Sequence, residues 1–218
     1  MLISLAAIAL GLLAGAQSPP ESAVDLAAAV QKRYATVRDF SADFVHSYRG
    51  GVLRTEAVER GTVVVKKPGK MRWEYRTPER KLFVSDGTRM YAYIPEDRQV
   101  TVSSVPTGDH ASTSALFLAG RGDLNRDFRP SLDTGVDAPA GTVALKLTPA
   151  KPEAEYDWLV LVLDRTSLQI RQLITADAQG GRSTFVFSNL RENTNPADQV
   201  FAFTIPRGVD VIYADRSH

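Results

Sequence analysis

Apolar residues recur along this chain at two spacings, and the change between them divides it. Ser22-Ala23-Val24-Asp25 resembles a capping box, a hydroxyl followed three residues on by an acid. Leu26, Val30, Tyr34 and Val37 follow at helical intervals and make one apolar stripe, while Asp25, Lys32, Arg33 and Arg38 punctuate the other faces. The spacing predicts a helix to about residue 38.

From about residue 40 the period falls to two. Strands are expected at Phe40–Tyr48, Arg54–Arg60, Gly61–Lys67, Met71–Tyr75, Lys81–Ser85, Arg89–Ile94 and Gln99–Ser103. Gly50-Gly51, Pro68-Gly69, Thr77-Pro78, Asp86-Gly87 and Pro95-Glu96-Asp97 mark the turns between them. Short strands joined by short turns imply an antiparallel meander, because parallel neighbours need long crossovers. Residues 104–130 interrupt it. Ala115–Ala119 reads as a short helix before Gly120, and Asp123 to Phe128 as a second helical turn. Strands resume at Val143–Thr148, Trp158–Asp164, Leu168–Thr175, Arg182–Leu190 and Val200–Ile205.

About eleven strands in one sheet tend to curl. Met71, Trp73 and Tyr75 share one strand face, as do Leu82 with Val84, Phe185 with Phe187, and Phe201, Phe203 with Ile205. The expected fold is mainly β: a curved antiparallel sheet forming an unclosed half-barrel, covered by an N-terminal helix and a short helical lid. Strand alternation proposes an apolar cavity lined by Phe44, Val65, Met71, Trp73, Leu82, Val84, Met90, Leu116, Phe117, Phe185 and Phe187.

The start of the chain bears on the compartment. Residues 1–16 are uncharged and almost wholly apolar, too short to span a bilayer as a helix, and end in Ala14-Gly15-Ala16. That pattern is read as a secretory signal cleaved after Ala16, although no Lys or Arg precedes the apolar run. Residues 17–218 are then expected to be one exported domain, and 218 residues suit such a size.

Composition removes several function classes. Lys plus Arg is 26 and Asp plus Glu is 25, for a net charge of +1. A phosphate backbone rewards a basic excess that this chain lacks. The chain has no cysteine and three histidines, which leaves no thiol chemistry and little for a metal site. No cofactor is expected. An enzyme finds little support: HExxH, GxSxG and a glycine-rich phosphate loop are missing. His46, His110 and His218 read as isolated. The pairs Glu56/Glu59 and Glu153/Glu155 read as carboxylates on the solvent side of strands or loops.

Gly61 to Val102 carries an ordered set of motifs: Gly61, Lys66-Lys67-Pro68, Met71, Arg72-Trp73-Glu74-Tyr75, Pro78, Val84-Ser85-Asp86-Gly87, Tyr93-Ile94-Pro95 and Gln99-Val100. Together they resemble the periplasmic outer-membrane lipoprotein carrier (LolA) family. Ala115–Gly120 with Leu124 and Phe128 is similar to that family's lid, and Phe201-Ala202-Phe203 with Pro206-Arg207-Gly208-Val209 to its closing segment. The resemblance implies a periplasmic monomer. It would take acylated lipoproteins from an inner-membrane ATP-driven transporter and hand them to an outer-membrane receptor. It also implies a lid latch before the turn proline. Many members carry Arg there and this chain has Lys67, a compact charge in place of a rigid fork. The expectation is that Lys67 points toward Ala115–Gly120. A carrier or sensor of another lipid on the same fold is the alternative.

Overall fold

A computed structural model describes residues 22–50, 56–105, 123–152 and 156–214. Helix α1 spans Ala23–Ala35. The Ser22 hydroxyl oxygen accepts from the Asp25 amide at 3.1 Å, satisfying a donor that a helix start leaves without an intrahelical partner. The helix ends before the predicted residue 38. Thr36 donates its hydroxyl back to the Arg33 carbonyl at 2.7 Å, and the Val37 amide reaches the Tyr34 carbonyl at 3.2 Å. Val37 is nonetheless buried, which is why it fits the apolar stripe.

The strands are β1 Asp39–Arg49, β2 Glu56–Lys66, β3 Lys70–Thr77, β4 Lys81–Asp86, β5 Arg89–Ile94 and β6 Gln99–Ser104. A one-turn helix α2, Leu124–Asp127, leads directly into β7 Phe128–Leu132. Then come β8 Thr142–Pro149, β9 Trp158–Asp164, β10 Ile170–Ala176, β11 Arg182–Glu192 and β12 Asp210–Tyr213. All twelve belong to one sheet, ordered β12-β6-β5-β4-β3-β2-β1-β11-β10-β9-β8-β7. The order does not return on itself, so the half-barrel stays unclosed, as the sequence predicts.

Several boundaries differ from the sequence reading. The two strands expected on either side of Gly61 are one strand, β2, with an irregularity between Arg60 and Gly61. The expected turn from Asp123 to Phe128 is α2 with its caps, and Phe128 also opens β7. Val200–Ile205 is no strand: a 3-10 turn covers Asp198–Phe201, and unpaired chain follows. The last strand is β12, and it runs parallel to β6. The parallel pairing follows from the path. After β11 the chain crosses the outer side of the sheet as a strap, with the 3-10 turn against β3 and β4, and so reaches the far edge in the opposite sense.

The strap is tied down where it leaves β11. Buried Asp39 accepts from the Thr194 amide at 2.7 Å and the Asn195 amide at 3.1 Å. Asn193 and Asn195 hold φ of +57° and +52°, a region asparagine tolerates better than most residues. Farther on, Asp198 pairs with Lys66 at 2.8 Å and Lys70 at 3.0 Å.

Cross-strand pairs assign the faces. Phe44 lies opposite Gly61 and Phe187; Gly61 opposite Tyr75; Val63 opposite Trp73; Val65 opposite Phe40 and Met71; Trp73 opposite Phe83. These residues share the concave face, where Leu26, Ala27, Val30 and Tyr34 of α1 join the main core. A smaller cluster of Ala144, Val160, Val162 and Ile174 lies apart from it, packed with Val136, Ala138 and Trp158.

Candidate functional site

One end of the concave face is sealed. Phe40 and Val65 are buried at 4% and 1% exposure, and the Tyr34 ring of α1 stands 6.4 Å from that of Phe40. Toward the β1–β2 hairpin the cover thins. There the face is aromatic: Phe44 meets Trp73 at 5.2 Å and Tyr75 at 4.8 Å, and Trp73 meets Phe185 at 5.3 Å. Tyr75 also meets Phe83 at 5.7 Å. The crossings are tilted or edge-on, the arrangement ring quadrupoles favour. Phe44 and Phe187 are buried, whereas Met71, Trp73, Phe83 and Phe185 keep part of their surface accessible.

Gly61 makes this packing possible. A Cβ there would stand 2.1 Å from the Glu74 carbonyl oxygen and 2.7 Å from the Phe44 ring. The irregularity in β2 and the missing side chain let Phe44 lie over the strand.

The proposed lining residues separate into three groups. Phe44, Val65, Met71, Trp73, Phe185 and Phe187 lie on the concave face, and Met90 joins them through its partner Ser85, itself opposite Met71. Leu82 and Val84 do not. Leu82 is opposite Glu74 and Val84 opposite Arg72, so both point to the convex side. They pair with Tyr93 and Tyr91, whose rings meet Phe203 of the strap at 5.8 and 5.2 Å. The expected facing was one residue out of phase: on β4 the concave aromatic is Phe83. The strap supplies a second apolar cover, which makes a buried Val84 uninformative about facing. Leu116 and Phe117 lie outside the described residues.

Lys67 sits at the sealed end. Its ammonium donates to the Tyr34 carbonyl in the last turn of α1 and lies 4.3 Å from the Tyr34 ring centroid. Burial lowers its pKa to about 8, with Glu192 opposing that shift. Glu192 itself is ion-paired with Arg33. The contact shown for Lys67 is thus with α1, a cation at a helix C-terminus. Residues 115–120 lie outside the described residues.

The strand register also builds a polar network that the spacing of its residues along the chain does not show. His46 follows Phe44 by two residues and so shares its face. Its Nδ1 donates to Glu59 Oε2 at 3.1 Å, and its Nε2 accepts from the Ser183 hydroxyl at 2.7 Å. A carboxylate can only accept, which fixes that tautomer. Glu59 also accepts from Lys81 at 2.7 Å. Burial would raise the Glu59 pKa, but hydrogen bonds from Lys81 and His46 outweigh it and hold the carboxyl below its ordinary range. Burial pushes His46 below its ordinary value of 6.5 against the pull of Glu59. The imidazole stacks flat on Phe185, with centroids 4.1 Å apart. Glu59 is therefore neither solvent-facing nor idle, and His46 is not isolated. The β1–β2 register is the signal that would have paired them.

A cavity of about 370 Å³ lies where β1 ends, β2 begins and β11 begins, among Ser47, Arg49, Glu56, Arg182 and Thr184. Tyr48, Ala57 and Val58 complete its lining, which includes none of the proposed lining residues. Among the described residues no helix is long and apolar enough to cross a membrane, and no cluster of His, Asp and Glu could hold a metal.

Comparison with known proteins agrees with this architecture. The chain is 34% identical over 179 residues to the outer-membrane lipoprotein carrier protein of Chromohalobacter salexigens, covering 81% of each chain. It is 32% identical over 209 residues to that of Bordetella avium, covering 95% of each. With the protein of the same description from Chromobacterium violaceum it shares 31% identity over 98% of this chain and 97% of the relative. Among solved structures, an uncharacterized conserved protein from Thermus thermophilus superposes with a TM-score of 0.54 at 15% identity. That match covers 86% of this chain and 98% of the other, a likeness of fold. The family model described as outer membrane lipoprotein carrier protein LolA matches residues 35–204. With the family model matching most of the chain and relatives above 30% identity over nearly its whole length, the protein belongs to the LolA outer membrane lipoprotein carrier family.

Proposed function

We propose that this protein is a periplasmic carrier that shields the acyl chains of lipoproteins between the two membranes. In this reading residues 1–16 are a secretory signal and the remainder is one carrier domain. Cargo arrives from an inner-membrane ATP-driven transporter and leaves to an outer-membrane receptor. The observation that carries the reading is the graded concave face, sealed by α1 at one end and aromatic but partly accessible at the other.

Transfer energetics say why such a face is needed. An acyl chain of ~15 methylenes exposed to water costs roughly 12 kcal/mol at about 0.8 kcal/mol per methylene. A carrier must offset that and still let go. The rings of Phe44, Trp73 and Phe185 pack on one another. Loading exchanges ring–ring contacts for ring–chain contacts, so the two states need differ by only a few kcal/mol. Met71 and Met90 add flexible side chains that adapt to chains of different shape.

The test is to purify the protein from its native periplasm and identify bound lipid by mass spectrometry. Diacylated or triacylated lipopeptides are the expected species, and their binding should weaken when Trp73 is replaced by Ala. Recovery of one free glycolipid or pigment precursor would overturn the cargo assignment. Failure of the purified protein to accept lipopeptide from detergent would overturn the carrier reading itself.

A further inference from the structure

Seen along β1, the concave face changes chemistry at one level. Phe40, Ala42 and Phe44 are apolar and buried, and the next inward residue is His46. Six residues of strand separate Phe40 from His46, about 20 Å at the usual rise. That is the length scale of a long acyl chain. Beyond His46 the next inward side chain, Tyr48, is solvent-exposed. The polar network therefore stands at the mouth, with the apolar depth behind it.

Four strands converge there: His46 from β1, Glu59 from β2, Lys81 from β4 and Ser183 from β11. Their side chains are mostly withdrawn from water, at 16% exposure for His46, 14% for Glu59 and 27% for Lys81. Burying such a network rarely adds stability over an apolar replacement of the same volume. Its internal bonds are also incomplete. The Lys81 ammonium has three donors; one goes to Glu59, and the Glu79 carboxylate stands at 3.7 Å. The Ser183 hydroxyl spends its proton on His46 and keeps oxygen lone pairs. The level thus offers a cationic donor and a neutral acceptor, both braced by the His46–Glu59 pair.

We propose that His46, Glu59, Lys81 and Ser183 form a subsite for the amide-bearing polar end of an acylated ligand whose chains occupy the aromatic face. A carbonyl oxygen accepts from Lys81, and an amide N–H donates to Ser183. Lys81 and Ser183 are the contact residues; Glu59 and His46 position them. Glu59 already matches the Lys81 charge and the Glu79 carboxylate stands close by, which favours a neutral linkage over a free fatty-acid carboxylate. The inference rests on the carrier reading and adds what that reading leaves open: how the cargo's register along the face is set.

The test uses the mature chain and two fluorescent probes. One is a pyrene-labelled dipalmitoyl cysteinyl-seryl lipopeptide. The other is 1-dodecylpyrene, which is apolar and has no hydrogen-bonding group. Lys81→Met should weaken lipopeptide binding about tenfold, the loss of one hydrogen bond to a charged group, and leave dodecylpyrene within about twofold. Lys81→Arg should restore most of the lipopeptide affinity. Lys81→Met leaves Glu59 with one partner fewer, so Ser183→Ala provides an independent variant, expected to lose about threefold on the lipopeptide alone. Equal losses on both probes would show a merely structural network and overturn the subsite, as would no loss on either. If the unaltered protein bound neither probe, the carrier reading would fall first.

Discussion

Replacing Gly61 by alanine tests whether the concave face is built as described. The substitution adds one methyl group. In place, it would lie 2.1 Å from the Glu74 carbonyl oxygen, 2.9 Å from the Glu74 carbonyl carbon and 2.7 Å from the Phe44 ring. Backbone atoms cannot rotate away as a side-chain tip can. Relief requires β3 to retreat by roughly 1 Å where neighbouring strands normally lie ~4.8 Å apart, which strains the adjoining ladder bonds. Overpacking costs about 1–3 kcal/mol, and one or two weakened backbone bonds add about 1 kcal/mol each. The expected total is about 3 kcal/mol. With a urea m-value near 2–3 kcal/mol/M, the midpoint should fall by roughly 1 M at unchanged m. In a chain of this size the thermal midpoint should fall by about 6–12 °C. Adding Phe44→Leu removes only the ring contact, so Gly61→Ala should still cost most of its effect in that background. A loss below about 0.5 kcal/mol, or full rescue by Phe44→Leu, would refute the geometry at the centre of the face.

The face assignment on β4 predicts that Phe83→Ser weakens binding of an apolar probe at least about fivefold while Leu82→Ser leaves it within about twofold, as titration of dodecylpyrene fluorescence would show. His46 titrates below its ordinary value in the fold, so the stability it supplies is complete above pH 6.5 and is lost as pH falls through the lower folded value. Urea midpoints taken from about pH 7.5 to about pH 5 should therefore decline less steeply for His46→Phe than for the unaltered chain. Lys67, held near 8 against an ordinary 10.5, has the same sign: its contribution is complete above about 10.5 and is lost as pH falls through about 8. Urea midpoints of the unaltered chain should therefore rise between about pH 8 and about pH 10, and Lys67→Met should flatten that rise.

Local signals carried most of this fold. Ser22 and the Leu26–Val30–Tyr34 stripe located α1, and turn pairs such as Asp86-Gly87 located the hairpins. Alternation placed Met71 with Trp73 and Phe185 with Phe187 on common faces, because a single strand carries that information by itself. Nonlocal pairing was not legible. Nothing within β4 says whether Leu82 or Phe83 faces α1; the register with β3 decides it, and the Phe203 strap hides the choice by covering the other side. The same holds for β12, four residues whose partner β6 lies more than a hundred residues earlier. His46 and Glu59 looked unrelated because thirteen residues separate them, and only the β1–β2 ladder brings them opposite.

In the proposed carrier reading, the graded face lets one sheet serve as both core and binding surface. A closed barrel would bury Trp73 and Phe185 as fully as Phe40, and stability would then oppose loading. An open sheet without α1 would leave Phe40 and Val65 wet, and the fold would lose its anchor. Here α1, joined to the β2–β3 turn through Lys67 and Tyr34, seals one end with residues below 5% exposure. The aromatic end keeps part of its surface accessible, with its rings packed on one another. Core contacts near α1 are made whether or not a ligand is present, so they stabilise both states equally and leave the loading equilibrium alone. In the proposed carrier reading, contacts around Trp73 would be made in one state by protein and in the other by ligand, so they would set that equilibrium while adding less to stability. The division of labour lies along the strands, and the level of His46 marks where the apolar depth ends.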